Sequence, residues 1–380
     1  MNGASQPQRE RIPELDGLRG LAILLVIICH YFANSEHAQL GFFWHHFFSA
    51  LTACWSGVDL FFILSGFLIG GILLGSRQSP RYFSTFYMRR VHRILPVYYG
   101  WILLYVLIFG GIRLLTPNSG IVNATDLLPV PYYALFLQNS FGGFTPLEWK
   151  WFAVTWSLAV EEQFYLFAPL LVRWISESRL IILIVGTTIL APLLRLIIFV
   201  FFPAHSFLAM FAMPARADAL SLGILAAIFW RRREFRAYLQ EHPALLQRCL
   251  AGLFAGLLVL LWWLDHPLNI VTATIGYSWL ALFYLCLLLV VLTQTTGWIA
   301  GVMRTHALRY LGTISYCVYL IHFTIHQWGH HLLLHSKPRI YDWKGVGATF
   351  LSLLVTIVLA SLSWRFFEKP FLKRGHSYTY

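Results

Sequence analysis

Runs of apolar residues recur along this sequence from residue 17 onwards, separated by short polar stretches. Each run is about 20 residues long, the length that a helix needs to cross the hydrocarbon core of a bilayer. A helix also satisfies its own backbone hydrogen bonds, as lipid requires. The pattern therefore predicts an all-α fold, a polytopic membrane helical bundle of about ten transmembrane helices at 17–33, 55–75, 94–112, 151–172, 180–202, 207–230, 249–264, 270–292, 309–334 and 346–366.

The composition agrees with this pattern. Of the 380 residues, 58% are hydrophobic and 12% are charged, whereas a soluble domain carries about 25% charged residues. No stretch remains that would form a soluble domain of useful size. We therefore predict one transmembrane domain over residues 1–375, with a short C-terminal tail at 376–380.

Basic residues are distributed unevenly between the two sets of loops. If the N-terminus lies inside, most of the 28 Lys and Arg residues fall on the cytoplasmic side. Cytoplasmic loops are enriched in Lys and Arg, so we predict that both termini are cytoplasmic and that this is a multi-pass protein of the inner (plasma) membrane. The net charge of +12 then reflects topology, and no nucleic-acid partner is expected.

The first span carries two ionisable residues, Arg19 and His30. Their spacing of eleven positions returns to nearly the same helix face about 16 Å further along. Ionisable side chains inside a membrane are costly and mark candidate functional sites. Arg19 would bind a phosphate or polarise a carbonyl, and His30 would transfer the proton when a thioester acylates a hydroxyl. The alternative is that Arg19 anchors the helix and His30 is a hydrogen-bonded packing residue.

Two adjacent carboxylates, Glu161 and Glu162, interrupt an otherwise apolar span. Neighbouring residues diverge by about 100° on a helix, so one of the two is predicted to face the site. We assign Glu161, which would orient the His30 imidazole as the acid of a catalytic triad does. The alternative is that both carboxylates form ion pairs with Arg195 or Arg216.

The second span, GVDLFFILSGFLIGGILLG, begins near Asp59 and contains Ser65 followed by several glycines. Small residues allow membrane helices to approach closely, so we interpret the glycines as packing residues. Such a strip would also form the floor of a narrow channel for an acyl or pantetheine arm. Asp59 is kept as a candidate substrate-binding residue.

A basic block, FYMRRVHRILPVYY, leads into the third span and contains Arg89, Arg90 and Arg93. Arg89 and Arg93 lie about one helical turn apart on the same face. Such a cluster would bind the phosphates of coenzyme A. It also fits anchoring at the cytoplasmic interface, and the sequence leaves both interpretations open.

Near the C-terminus, LGTISYCVYLIHFTIH places Tyr316, Tyr319 and His322 in the ninth span. These side chains would line a pocket for the acceptor or extend a proton path, and interhelical hydrogen bonds are the simpler alternative. No carboxylate or cysteine joins the later histidines in a convincing metal site. The five cysteines contain no C-x-x-C pair, so we predict no metal.

Several blocks of the sequence resemble, in the same order, those of the acyltransferase-3 family of integral membrane acyltransferases. LDGLRGLAILLVIICHYF is similar to the opening motif of that family, an arginine and a histidine separated by ten residues. The resemblance covers nearly the whole chain. The later blocks that are similar to the family are GVDLFFILSGFLIGG, RRVHRILPVYY, WSLAVEEQFYL, ARADALSLGILAA, SYCVYLIHF and FFEKPF.

The resemblance implies an acyltransferase domain that takes an acyl group from acyl-CoA on the cytoplasmic side, most often from acetyl-CoA. The implied acceptor is a hydroxyl group of a carbohydrate, such as a surface polysaccharide, an O-antigen or an exopolysaccharide unit. By position, it implies catalytic roles for His30, Arg19 and Glu161, coenzyme A binding by Arg89, Arg90 and Arg93, and substrate binding by Arg216, Tyr316 and His322.

Our hypothesis from the sequence is that the thioester enters past Arg19 and the basic block, and that His30 deprotonates the acceptor hydroxyl. The external segment 113–150 would hold a sugar through its aromatic side chains. Fourteen residues follow the last predicted span, so no fused extracellular hydrolase-like domain is expected.

Two other functions fit a membrane bundle with buried charges. A transporter or flippase for a glycan or a lipid-linked sugar would be favoured by inverted repeats, and we find no convincing internal repeat. A sensor would bind acyl-CoA without turnover. Incubation with labelled donor and mixed glycans separates a sensor from an enzyme.

Overall fold

The computed structural model describes residues 12–37, 40–116, 129–140, 150–261, 269–294 and 296–380. This part of the chain is helical and has no strand, which confirms the predicted all-α class; an isolated bridge joins Glu36 to Arg339. The α-helices are α1 Pro13–Ile28, α2 Phe42–Ala50, α3 Gly57–Gly75, α4 Tyr82–Leu115, α5 Val130–Ala134, α6 Trp156–Trp174, α7 Glu177–Phe201, α8 Leu208–Phe211, α9 Met213–Trp230, α10 Arg233–Glu241, α11 Pro243–Leu260, α12 Tyr277–Thr293, α13 Trp298–Met303, α14 His306–Leu334, α15 Trp343–Ser363 and α16 Lys369–His376.

Short irregular turns extend several of these helices. Within the described ranges, 3-10 turns occupy Leu51–Ser56, Ala153–Thr155 and Pro203–His205, and π-helical turns occupy Cys29–Ala33, Thr272–Gly276 and Trp364–Glu368. The first π turn continues α1 and contains His30. π-helical turns are rare overall, and those that occur are often found at functional sites. The π turn at His30 therefore makes this position a candidate functional site.

Eight segments of the described chain are long and apolar enough to cross a membrane. They agree with eight of the predicted spans. At the other two, 151–172 and 309–334, the chain forms α6 and α14, which carry more polar and charged residues. The apolar segments are Pro13–Ala33, Phe42–Gly75, Tyr82–Leu115, Glu177–Phe201, Leu208–Trp230, Pro243–Leu260, Thr272–Thr293 and Trp343–His376.

Helices α1 and α14 run side by side in the same direction through the centre of the bundle. A Cβ atom added at Gly20 would meet the backbone of Leu308, and one at Gly312 would meet the carbonyl of Asp16. Glycine permits this close approach of two backbones. The parallel packing brings the far end of α1, with its π turn, beside the middle of α14.

A second close crossing joins α3 to α9. Gly66 and Gly223 face one another there, and a Cβ atom on either would meet the backbone of the opposite helix. Gly70 also contacts α9, near Ile224, whereas a Cβ atom added at Gly71 would meet no atom within 4 Å. Close packing is therefore what Gly66 and Gly70 contribute.

The remaining helices differ in how far they are covered. Only 17% of the most apolar window of α7 and 6% of that of α11 is buried, so these two helices lie at the periphery. We call the end of the bundle where α1 begins the basic side, because Arg77, Arg89, Arg173 and Arg232 lie there. At this side the segment after α16 crosses the start of α4, where the Thr85 hydroxyl donates to the Thr379 carbonyl over 2.8 Å.

Candidate active site

A narrow cavity of about 280 Å³ enters the bundle from the basic side, between α1, α3, α4, α6, α14 and α16. Along α3 its lining extends from Ile72 to Val58, which is about 21 Å at 1.5 Å per residue. The cavity brings together a set of residues predicted from distant parts of the sequence. These are Arg19, Arg89, Arg90, Arg93, Glu161 and Tyr316.

The arginine at the mouth of the cavity is held by the end of the chain. Arg89 donates from Nε and Nη2 to the Tyr378 carbonyl oxygen, over 2.9 and 2.7 Å. Its guanidinium also lies 5.1 Å from the centroid of the Tyr380 ring, which lines the cavity. The segment that follows α16 therefore forms part of the mouth.

Arg90 and Arg19 have weaker polar contacts than Arg89. The Arg90 guanidinium lies 5.8 Å from the ring centroids of Phe86 and Tyr165, and Arg19 Nη1 lies 3.6 Å from Asp16 Oδ1. In the described part of the chain, no ion pair joins Arg90 or Arg93 to a carboxylate. The cavity thus presents several guanidinium groups beside the single carboxylate of its lining, an arrangement that favours an anionic ligand such as a phosphate.

That carboxylate belongs to Glu161, and its closest partner is a serine. The Ser65 hydroxyl donates to Glu161 Oε1 over 2.6 Å, and the Tyr165 hydroxyl donates to Ser65 Oγ over 3.1 Å. The structure does not bring Glu161 to the His30 ring, so the predicted carboxylate–imidazole contact is not found. Sequence reasoning assigned no role to Ser65 or Tyr165, although Ser65 was visible as the one hydroxyl in a glycine-rich strip.

The ring partner of His30 is His322, whose Nε2 lies 3.0 Å from His30 Nδ1. His322 Nδ1 lies 2.7 Å from the Tyr319 carbonyl oxygen and 3.1 Å from that of Val318, so we place a proton on this nitrogen. In a neutral ring, His322 Nε2 is then an acceptor and His30 Nδ1 is the donor. His30 Nε2 is left with a lone pair that can accept a proton.

The imidazole pair lies behind the deep end of the cavity. Tyr319 lines the cavity, and its ring centroid lies 5.8 Å from that of His322. The Tyr319 and Ser157 hydroxyls are 2.6 Å apart, which fixes the ring in this position. Arg19 therefore lines the cavity, whereas His30, eleven residues further on, lies beyond its wall.

The predicted substrate-binding residues do not all reach this site. Tyr316 lines the cavity and donates its hydroxyl to the Ile94 carbonyl oxygen over 2.9 Å. Asp59 and Arg216 form an ion pair of 2.5 Å, and each side chain is 1% exposed. The Arg216 guanidinium lies 3.8 Å from the centroid of the Tyr277 ring. Neither member of this pair lines the cavity.

A second buried ion pair lies beside the first. Arg195 and Asp218 are 2.9 Å apart, and Ser278 bonds to both. The alternative that Glu161 and Glu162 neutralise Arg195 or Arg216 is therefore wrong, because Asp218 and Asp59 are the partners. These aspartates lie in other spans, and only the packing of α3, α7, α9 and α12 brings the charges together.

Two further sequence expectations concern metals and sugars. Among the described residues, no group of three or more His, Cys, Asp and Glu side chains has the arrangement of a metal site. His330 Nε2 instead lies 2.9 Å from the Thr349 hydroxyl. Of the aromatic residues in segment 113–150, Tyr133 is buried and Tyr132 is exposed, while Phe141, Phe144 and Trp149 lie outside the described residues.

Comparison with known proteins gives one family and several relatives. Residues 12–365 match the acyltransferase domain family. A Staphylococcus aureus (strain COL) protein provisionally named an O-acetyltransferase is 27% identical over 378 residues, which cover 96% of this chain and 58% of the relative. The peptidoglycan O-acetyltransferase OatA of Listeria monocytogenes is 27% identical over 395 residues, which cover 99% of this chain and 58% of the relative. The chain thus spans little more than half the length of these curated relatives. No solved structure matches it significantly.

Proposed function

The chain belongs to the acyltransferase domain family and is a multi-pass membrane protein, and from this premise we propose that it transfers an acyl group from cytoplasmic acyl-CoA to a hydroxyl group of a cell-envelope carbohydrate. Acetyl is the proposed cargo. The names of the relatives support O-acetylation, and one of them is a peptidoglycan O-acetyltransferase.

The observation that carries this proposal is the arginine-lined cavity. An acyl-CoA donor combines phosphates with a long, narrow arm that ends in the thioester. Arg89, Arg90 and Arg93 stand at the basic side, where they would bind the phosphates. The arm would then extend along α3 toward Tyr319, and Arg19 would contact it on the way.

The second part of the proposal assigns the acceptor chemistry to His30. Its Nε2 has the free lone pair that a general base needs, because His322 fixes the tautomer from behind. The base would take the proton of the acceptor hydroxyl as that oxygen attacks the acyl carbonyl. His322 is in this account a positioning residue, the role that the sequence hypothesis gave to Glu161.

The proposed topology follows from the same assignment. We propose ten crossings of the inner membrane, with α6 and α14 as the two less apolar ones, and both termini in the cytoplasm. The basic side is then cytoplasmic, where acyl-CoA is made. His30 lies nearer the opposite side of the bundle, where the acceptor would approach.

The test uses the purified protein in lipid nanodiscs with acetyl-CoA that is isotopically labelled in its acetyl group and a mixture of envelope glycans. We expect one added acetyl mass on a sugar, and we expect His30→Ala to reduce turnover by about 10²- to 10⁴-fold, the range of general acid–base catalysis. Mass spectrometry of the glycans measures both results.

Two outcomes would contradict the proposal. Donor binding without acetyl transfer to any glycan would identify a sensor, and glycan movement between vesicle compartments without acetylation would identify a flippase. The control is His331→Ala, which removes a histidine from α14, the helix of His322, outside both the cavity and the His30–His322 pair. Its turnover should equal that of the unmodified protein.

A further inference from the structure

Three serines line the cavity, and they differ in what their hydroxyls contact. Ser315 donates to the Gly312 carbonyl of its own helix over 3.0 Å, and Ser157 pairs with the Tyr319 hydroxyl. Ser65 donates to a carboxylate, Glu161, over 2.6 Å. A hydroxyl bonded to a carboxylate within hydrogen-bond reach is the arrangement of an activated nucleophile and its base.

We propose that Ser65 is a catalytic nucleophile that takes the acyl group from the donor and carries it as an ester before the acceptor is acylated. The proposal rests on the function proposed above, because it requires a thioester in the cavity. It adds a covalent intermediate and a second base to that reaction. Ser65 lies midway along the α3 lining, between Val58 and Ile72, on the path of the extended arm.

In the first step Ser65 Oγ attacks the carbonyl carbon of the thioester, and the carbon–sulfur bond breaks. The Ser65 proton passes to Glu161 and from there to the leaving sulfur, so that coenzyme A departs as the thiol. Tyr165 donates to Ser65 Oγ over 3.1 Å and directs its remaining lone pair. The guanidinium groups of Arg19 and Arg93 supply positive charge to the oxyanion that develops.

In the second step the acceptor oxygen attacks the carbonyl carbon of the Ser65 ester, and the bond from that carbon to Ser65 Oγ breaks. The proton that His30 takes from the acceptor ends on the released Ser65 oxygen. The position of Tyr319 favours two separate steps, because its ring lines the donor cavity and lies 5.8 Å from that of His322, whereas neither histidine of the pair lines the cavity. Movement of this ring would be needed for the second step and not for the first.

The test traps the intermediate by omitting the acceptor. The protein in nanodiscs is incubated with [¹⁴C]acetyl-CoA, digested and analysed by mass spectrometry. We expect an acetyl group on the peptide that contains Ser65, stable to neutral hydroxylamine as an oxygen ester is. His30→Ala should retain this label, because His30 acts in the second step, and Glu161→Gln should form it about 100-fold more slowly.

Ser84→Ala is the control, since it removes a serine hydroxyl that donates to the Arg81 carbonyl near the start of α4 and does not line the cavity. It should keep the label, whereas Ser65→Ala should lose both the label and turnover. If Ser65→Ala does not fold, Ser65→Cys replaces it, and the acetyl group at position 65 should then be released by neutral hydroxylamine.

The two proposals fail in different ways. Two results would overturn the nucleophile and leave the transferase intact. The first is normal turnover by Ser65→Ala. The second is an active unmodified protein together with no acetyl group on the Ser65 peptide of His30→Ala. No turnover by the unmodified protein with any glycan would overturn the transferase itself.

Discussion

The bundle contains two groups of arginines that differ in their partners. Arg195 and Arg216 are buried to 0% and 1% exposure, and each is bonded to an aspartate. Arg90 and Arg93 line a cavity, and no ion pair with a carboxylate engages them among the described residues. The charges of the first group are neutralised by aspartates of the protein, whereas the guanidinium groups of the second are accessible to a ligand in the cavity.

This difference shows which charged residues in a membrane mark a ligand site. Burial of an arginine alone does not, because a buried charge is tolerated when it is paired and hydrogen-bonded. A guanidinium that faces a cavity and forms no direct ion pair with a carboxylate still has donors available to bind an anionic ligand. Both groups consist of arginines within membrane helices, so residue type and position in the membrane do not distinguish them. Their hydrogen-bonding and ion-pair partners do.

The largest effect is expected where a neutralised pair is broken. Arg216→Met leaves the Asp59 carboxylate buried without its partner, which should lower the free energy of unfolding by about 3–5 kcal/mol. Thermal or denaturant unfolding of the protein in detergent measures this change. The double variant Asp59→Leu, Arg216→Met removes both charges and should recover most of the lost free energy of unfolding. If it does not, the pair stabilises the fold through more than mutual charge neutralisation.

A smaller effect, on binding and not on stability, is expected for a cavity arginine. Arg93→Ala removes a charged donor that has no internal carboxylate partner among the described residues, so acetyl-CoA affinity should fall by about 10- to 100-fold while the unfolding midpoint is unchanged. Isothermal titration of the protein in nanodiscs measures the affinity.

The control for this variant is Arg232→Ala on the same side. Arg232 pairs with Glu177 at the surface, where both side chains are about half exposed. An exposed ion pair contributes little to stability, and Arg232 does not line the cavity. If Arg232→Ala weakened donor binding as much as Arg93→Ala, general surface charge and not the cavity would explain the affinity.

The smallest effect is expected at Arg89, because the chain itself already engages this side chain. Arg89 must leave the Tyr378 carbonyl before it contacts a phosphate fully, which offsets part of its contribution. Arg89→Ala should therefore weaken acetyl-CoA binding by about two- to fivefold. A loss equal to that of Arg93→Ala, measured in the same titration, would contradict the distinction between engaged and available arginines.

Much of the fold was accessible from the sequence, because each span is a local property. Apolar length and helix geometry were enough to locate α3 or α9, and a small residue such as Gly66 indicated close packing. The less apolar helices α6 and α14 were also located, since polar residues in a helical membrane segment do not change its backbone. The π turn at His30 could not be predicted, because its apolar neighbours fit a regular helix equally well.

The sequence identified which residues are unusual more readily than it identified their partners. Arg19 and Glu161 were selected because they are charged in apolar surroundings, and Arg93 because it belongs to a basic block; all three line the cavity. Asp59 was kept as a candidate and Arg216 was implied by the family resemblance, yet these two form an ion pair with each other. Partners 157 residues apart in sequence depend on the packing of whole helices, which periodicity along one span does not encode.

The claim on which the account depends is that the arginine-lined cavity holds the acyl donor. A photoreactive acyl-CoA whose acyl chain carries a diazirine, crosslinked to the protein in nanodiscs and mapped by mass spectrometry, tests it directly. We predict crosslinks to peptides that contain Ser65 and Tyr319, abolished by excess coenzyme A and reduced by Arg93→Ala at the same probe concentration. Crosslinks confined to the apolar groove between α6, α7 and α9, around Leu183 and Ile224, would contradict the account.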